Sequence, residues 1–220
     1  TATAPTASAL DGLTPFLDAA ADLDARLHDA AEAINGVGPP WPEVPASVAE
    51  KVTAADVTAV ARTVPAGLPP DLLEATILVY SDLVSRRGAL QGFAHAGPAA
   101  PTDELLSALR NGHAAAERFD DDLAALRARA AAAAPFTPAR PEDRATAETQ
   151  LLLRYTEGAN LGCDGRGGWI ATELPPIRWS EDDPPEHVGP EWDHHGTIGG
   201  IPFAAHREHG GTWTIQLWAC

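Results

Sequence analysis

The stretch LRNGHAAAERFDDDLAALRARA (residues 109–130) sets the expected architecture of the chain. Its apolar and small residues recur at alternating steps of three and four positions. This spacing places them along one face of an α-helix and is typical of the seam between packed helices. The sequence therefore predicts a long helix from about Asp103 to Ala134 inside a helical bundle. The residues of the seam are Leu109, Gly112, Ala116, Phe119, Leu123, Leu126 and Ala130.

The flanking segments predict the rest of this bundle. Thr14-Pro15 favours a helix start, because threonine caps a helix well and proline fits its first turn. Asn35-Gly36 favours the end of that helix. Pro69-Pro70-Asp71 opens another helix, expected to span about four turns and to end near Arg87, where cations suit the helix dipole. The remaining predicted helices are a short one from about Val57 to Val64 and a last one from Pro141 to Asn160.

After Asn160 the helical period gives way to short strand patterns separated by glycine and proline. We therefore expect a mainly α, α+β fold: an antiparallel bundle of four to five helices over residues 14–162, then a small antiparallel β-sheet over residues 163–220. His209-Gly210-Gly211 fits a tight hairpin turn. The predicted strands are Trp169–Thr172, Thr197–His206 and Thr212–Trp218, and Leu174–Pro190 is predicted to be a surface excursion.

The two cysteines of the chain, Cys163 and Cys220, frame this C-terminal segment. A disulfide between them would close the sheet and pin the end of the chain. Loop-closure entropy gives such a bond a stabilisation of about 4 kcal/mol for a loop of about 57 residues. Two unrelated thiols are one alternative. A nucleophilic Cys163 is another, although residues 161–165 supply no base to activate it.

The charge of the chain limits its partners. The formal net charge of −16 argues against nucleic acid and against anionic membrane surfaces, because both require basic patches. A charged partner is therefore expected to be basic or a cation. The segment after Asn160 holds 9 acidic and 3 basic residues, so it is more acidic per residue than the rest. No run of apolar residues is long enough to span a membrane.

The composition also suggests a location. The chain lacks Met and opens with TATAPTAS, which resembles the tether left after a targeting or lipid-anchor signal is removed. We expect residues 1–13 to form that flexible tether. Together with a disulfide, it indicates a protein outside the cytosol, secreted or tethered to the cell envelope. One Lys against 14 Arg, with abundant Ala, Gly and Pro, suggests GC-rich codons and a bacterial source.

Histidines and carboxylates gather in the C-terminal segment, which holds five of the eight His residues. Imidazoles and carboxylates are ligands of zinc, and three or four of them would make a site. The spacing matches no established motif, and the adjacent His194 and His195 would point to opposite sides of a strand. Ordinary loop histidines with local hydrogen bonds are the alternative. The candidate metal ligands are His187, His194, His195, His206 and His209.

Aromatic and acidic residues of the excursion are the candidate binding residues: Trp179, Trp192, Glu191 and Asp193. Exposed indoles are hard to explain without a partner or ligand. No nucleophile elbow or phosphate loop is present in the sequence. The leading hypothesis is a non-catalytic extracytoplasmic module that binds a protein or small ligand of the envelope without a cofactor. The alternatives are a zinc-dependent hydrolase that uses the C-terminal histidines and a purely structural envelope protein.

Overall fold

A computed structural model describes residues 8–35, 46–96, 102–160, 174–182, 192–209 and 211–218. This part of the chain is mainly helical and carries a small antiparallel sheet, as predicted. Cys163 and Cys220 lie outside the described residues, as does the predicted strand Trp169–Thr172. The helices are α1 (Ala9–Asn35), α2 (Ala46–Thr53), α3 (Val57–Ala61), α4 (Pro70–Ala96), α5 (Thr102–Ala132) and α6 (Arg144–Asn160), and the strands are β1 (Ile177–Trp179), β2 (His194–Ile198), β3 (Ile201–Arg207) and β4 (Trp213–Leu217).

The first helix begins earlier than the sequence pattern predicts. The Asp11 N–H donates to Ser8 Oγ at 3.1 Å, so Ser8 caps α1. Pro15 lies inside the helix, where it removes one backbone donor. The predicted start at Thr14-Pro15 is wrong because Ser8 supplies a cap further upstream. Residues 9–13, which we placed in a tether, are helical.

The central helix of the bundle is α4, which packs against all the other helices. It runs through 27 residues and continues well past Arg87, so the predicted end there is wrong. Arg86 does not mark a helix end because it is buried and bonded to Asp24 on α1. Arg87 donates from Nε to the Ala55 carbonyl at 2.8 Å. The guanidinium groups of Arg86 and Arg87 therefore bond to other segments of the chain.

The seam of α5 is confirmed. Phe119, Leu123 and Leu126 are buried in the common core, as is Gly112. A Cβ added at Gly112 would lie 3.3 Å from the Ala89 Cβ, so α4 and α5 approach closely there. None of the described helices is apolar and long enough to cross a membrane.

The sheet is antiparallel with the strand order β1-β2-β3-β4. The predicted single strand Thr197–His206 is instead two strands, β2 and β3, because Gly199 and Gly200 turn the chain at φ values of 57° and 87°. Such positive angles suit glycine and a tight hairpin. The predicted hairpin between β3 and β4 is confirmed. The excursion contains β1, which pairs with β2.

One face of the sheet packs on the bundle and shares its core. Ile198, Phe203, Ala205 and Ile215 belong to the same buried cluster as the helical core residues. Contacts from α6 to β2 and β4 hold the sheet in place. This face is called the inner face below, and the opposite face is called the outer face.

Candidate functional site

The pleat of the sheet separates the two adjacent histidines, as predicted. His194 lies opposite Ala205, whose side chain is in the core, whereas His195 lies opposite Ala204. Residues opposite each other in an antiparallel pair share a face. His194 therefore belongs to the inner face and His195 to the outer face. His206 lies opposite Thr214 and shares the outer face with His195.

The outer face brings together several of the predicted site residues. Asp193 Oδ1 lies 3.6 Å from His206 Nδ1 and 3.8 Å from His194 Nε2. The Nδ1 atoms of His195 and His206 are both buried, and neither makes a hydrogen bond to the residues that the structure describes. Glu208 accepts a hydrogen bond from the Thr214 hydroxyl at 2.8 Å. The outer face thus combines a carboxylate with two imidazoles, one of which lies beside that carboxylate.

The predicted zinc site is not assembled by the residues that the structure describes. Among them, no group of three or more His, Cys, Asp and Glu side chains could hold a metal ion. His209 is exposed at the turn between β3 and β4. His187 and Glu191 lie outside the described ranges. On the outer face, Asp193 Oδ1 approaches one of the candidate ligands, His206, to 3.6 Å.

Trp179 occupies a different position from the exposed one that the sequence suggested. It is partly buried on the inner face, where its indole N–H donates to Glu148 Oε1 at 3.0 Å. The guanidinium of Arg144 lies 4.6 Å from the centre of the indole ring. Phe203 packs edge-on at 4.9 Å. Trp179 therefore fastens the sheet to α6 through a hydrogen bond, a cation–π contact and aromatic packing.

Other aromatic rings surround this contact. His194 lies 5.4 Å from Trp213 and 6.1 Å from Trp179, measured between ring centres. The Trp213 Nε1 atom is buried and has no hydrogen-bond partner in the described part of the chain. Trp192 is half-buried, whereas Trp218 is 40% exposed just after β4. Within the described C-terminal segment the exposed indole is thus Trp218, which is not one of the candidate binding residues.

A concave region lies in the bundle, away from the sheet residues just described, where α1, α4 and α5 surround a groove of about 670 Å³. The sequence pattern did not predict this groove, although the small residues of the α5 seam indicate open space beside that helix. Gly112 and Ala116 leave space beside α5, and Ala31 and Ala89 leave space on the facing helices. Charged side chains from α1 and α5 stand around this groove.

Comparisons with known protein families, curated proteins and solved structures found no match. The function therefore has to be argued from the side chains of this chain alone.

Buried charges lie between the helices beside the groove. Asp82 on α4 accepts from Arg118 on α5 at 3.1 Å, while one of its oxygens, Oδ2, is buried without a partner. Burial raises the pKa of Asp82 to about 7, opposed by Arg118 and reinforced by Asp122. Burial also raises the pKa of Asp24, although its partner Arg86 acts in the opposite direction. The two aspartates and their arginine partners link α1, α4 and α5. Because folding raises the pKa of both carboxyl groups, their protonation is coupled to folding.

Proposed function

We propose that this protein is a non-catalytic binding module outside the cytosol, secreted or tethered to the bacterial cell envelope. In this proposal it recognises a protein or small ligand through the outer face of its C-terminal sheet. The observation that carries the proposal is the approach of Asp193 to His206, 3.6 Å apart, on the face of the sheet that also carries His195.

The chemistry of the outer face indicates the kind of partner. A neutral imidazole nitrogen and a carboxylate accept hydrogen bonds, and a carboxylate also attracts positive charge. Trp218 adds an exposed aromatic surface that can cover an apolar group or a cation. A partner segment that presents an Arg or Lys side chain fits these features. The net charge of −16 would attract such a partner over a distance.

The proposal includes the disulfide between Cys163 and Cys220, which would hold both ends of the C-terminal segment. Intact mass measured with and without reductant tests it, because the oxidised chain is lighter by about two hydrogen masses. Replacing Cys220 by Ser should lower the free energy of unfolding by up to about 4 kcal/mol. Two free thiols in protein purified from the extracytoplasmic compartment would contradict this part of the proposal.

Binding to the outer face is tested with immobilised protein and two kinds of probe: Arg- and Lys-containing peptides, and extracts of the cell envelope. A variant with His195→Ala, His206→Ala and Trp218→Ala should lose at least about tenfold in affinity for the captured partner. His209→Ala is the matched control, because it removes an exposed imidazole from the neighbouring turn. Unchanged binding by the triple variant, or equal loss in the control, would refute the outer face as the binding surface.

A further inference from the structure

The groove between α1, α4 and α5 has the size of a small-molecule site. Its volume of about 670 Å³ lies within the range of about 300–1,000 Å³ that ligand pockets occupy. Its apolar lining comes from all three helices. The apolar residues are Ala31, Ala89, Leu90, Leu106, Leu109 and Ala116.

The groove exists because short side chains meet where the helices diverge. Close contact of Gly112 with Ala89 sets the floor, since α4 and α5 approach each other there. On the facing side α1 presents Ala31, which is too short to fill the space. Leu106 is 37% exposed at the groove, an unusual position for a large apolar side chain. The bundle therefore leaves apolar surface that another molecule can cover.

The charges around the groove favour a cation. The carboxylates of Glu32, Glu117 and Asp120 face the guanidiniums of Arg86 and Arg110. Arg86 is already neutralised by Asp24. Among the described lining residues, three carboxylates therefore remain beside the guanidinium of Arg110 and the imidazoles of His28 and His113. Arg110 Nε donates to the Leu106 carbonyl of its own helix, 3.3 Å away, and His113 Nε2 lies 3.5 Å from Glu117 Oε1. Near the groove the local charge has the same sign as the net charge of −16.

We infer that this groove binds a small organic cation with an apolar body, such as an alkylammonium or an arylalkylamine. The apolar body would lie on the alanines and leucines of the floor, and the cationic head would lie among Glu32, Glu117 and Asp120. Burial of the alkyl chain supplies most of the binding free energy, and the carboxylates select the sign of the charge. This site is separate from the outer face of the sheet, so either proposal can fail without the other.

Isothermal titration calorimetry with two probes of equal chain length tests the inference. We expect decyltrimethylammonium, kept below its micelle concentration, to bind at one site per chain and at least about tenfold more tightly than decanoate. Tetramethylammonium alone measures attraction of the cation without an apolar body, and it should bind far more weakly. Equal affinity for the cationic and anionic probes, or many equivalent weak sites, would overturn the inference.

Binding measurements on three variants test whether the probe occupies the groove. Ala116→Phe fills the groove and should weaken binding of decyltrimethylammonium by at least about tenfold. Glu117→Gln with Asp120→Asn, two exposed changes that leave the core intact, should weaken it by about three- to tenfold. Asp121→Asn is the matched control, because this exposed carboxylate lies beside Asp120 but does not line the groove. Equal weakening by the control would show general attraction and contradict a site in the groove.

Discussion

In the bundle, the buried charges of α4 pair with charges on other helices, although one oxygen of Asp82 has no hydrogen-bond partner among the described residues. On the sheet, three buried ring nitrogens make no hydrogen bond to the described part of the chain. Arg86 reaches Asp24 on α1, and Asp82 reaches Arg118 on α5. The three ring nitrogens of the sheet are His195 Nδ1, His206 Nδ1 and Trp213 Nε1. The charged groups of α4 thus join it to α1 and α5, whereas the polar groups of the outer face are those through which we propose that a partner binds.

The largest expected effect comes from breaking the better-buried pair of the bundle. Arg86→Ala leaves Asp24 half-buried without its cation, so the free energy of unfolding should fall by about 3–5 kcal/mol. Urea denaturation followed by circular dichroism measures it. Arg127→Ala, an exposed change on α5, is the control and should have almost no effect. If Arg86→Ala were as mild as the control, the pair would not hold the bundle together.

The pH dependence of stability gives the next effect. The pKa of Asp82 is raised to about 7 by burial, so the folded state keeps its proton while the unfolded chain has already lost it. Its contribution is fully present below about pH 4 and is lost as the pH rises towards 7, with a slope of up to about 1.4 kcal/mol per pH unit. Relative to wild type, Asp82→Asn should therefore become more stable as the pH rises. Asp121→Asn, whose carboxylate is exposed, should show no such trend, and a trend shared by both variants would argue against Asp82 as its source.

A third change sharpens the comparison by disturbing the sheet alone. A Cβ on Gly196 would overlap the Arg178 carbonyl oxygen and come within 2.8 Å of the Phe203 ring. Gly196→Ala should therefore cost about 1–3 kcal/mol of stability. Hydrogen exchange should show faster opening of β1 and β2, with α5 unchanged. Gly92→Ala is the control, because a Cβ there meets nothing within 4 Å. Uniformly faster exchange through the bundle would mean that sheet and bundle open together.

The smallest expected loss of stability comes from weakening the contact between the sheet and the bundle. Glu148→Ala removes the acceptor of the Trp179 indole N–H, and the free energy of unfolding should fall by about 0.5–1.5 kcal/mol. Trp179 fluorescence should also shift to longer wavelength as the ring becomes more exposed to water. Glu142→Ala, a carboxylate near the sheet that does not bond to Trp179, is the comparison variant. No spectral change in Glu148→Ala would show that the ring is held by packing alone.

Local sequence patterns predicted which helices and strands are present better than they predicted where each one begins and ends. The alternating steps of α5 correctly identified Phe119 and Leu126 as buried, because a long helix repeats its signal over many turns. The start of α1 was wrong for a local reason, because Ser8 caps the helix upstream of Thr14. The end of α4 was wrong for a tertiary reason. Arg86 resembles a cation at a helix end until its partner Asp24, 62 residues earlier in the chain, is known.

The candidate site was predicted in part. Strand alternation correctly assigned His194 and His195 to opposite faces. The environment of Trp179 could not be predicted, because its partner Glu148 lies 31 residues away on α6. Trp218 was not among the predicted binding residues, although it follows Leu217 of the inner face and is exposed. Contacts between elements that are distant in sequence decide such positions.

The two ion pairs of α4 also differ in when they can form during protein synthesis. The partner of Arg86 precedes it by 62 residues, whereas the partner of Asp82 follows it by 36 residues. Because a chain emerges from the ribosome in order, α1 is available to α4 before α5 exists. The bundle can thus assemble from α1 onwards during translation, and the second ion pair forms once α5 has been synthesised.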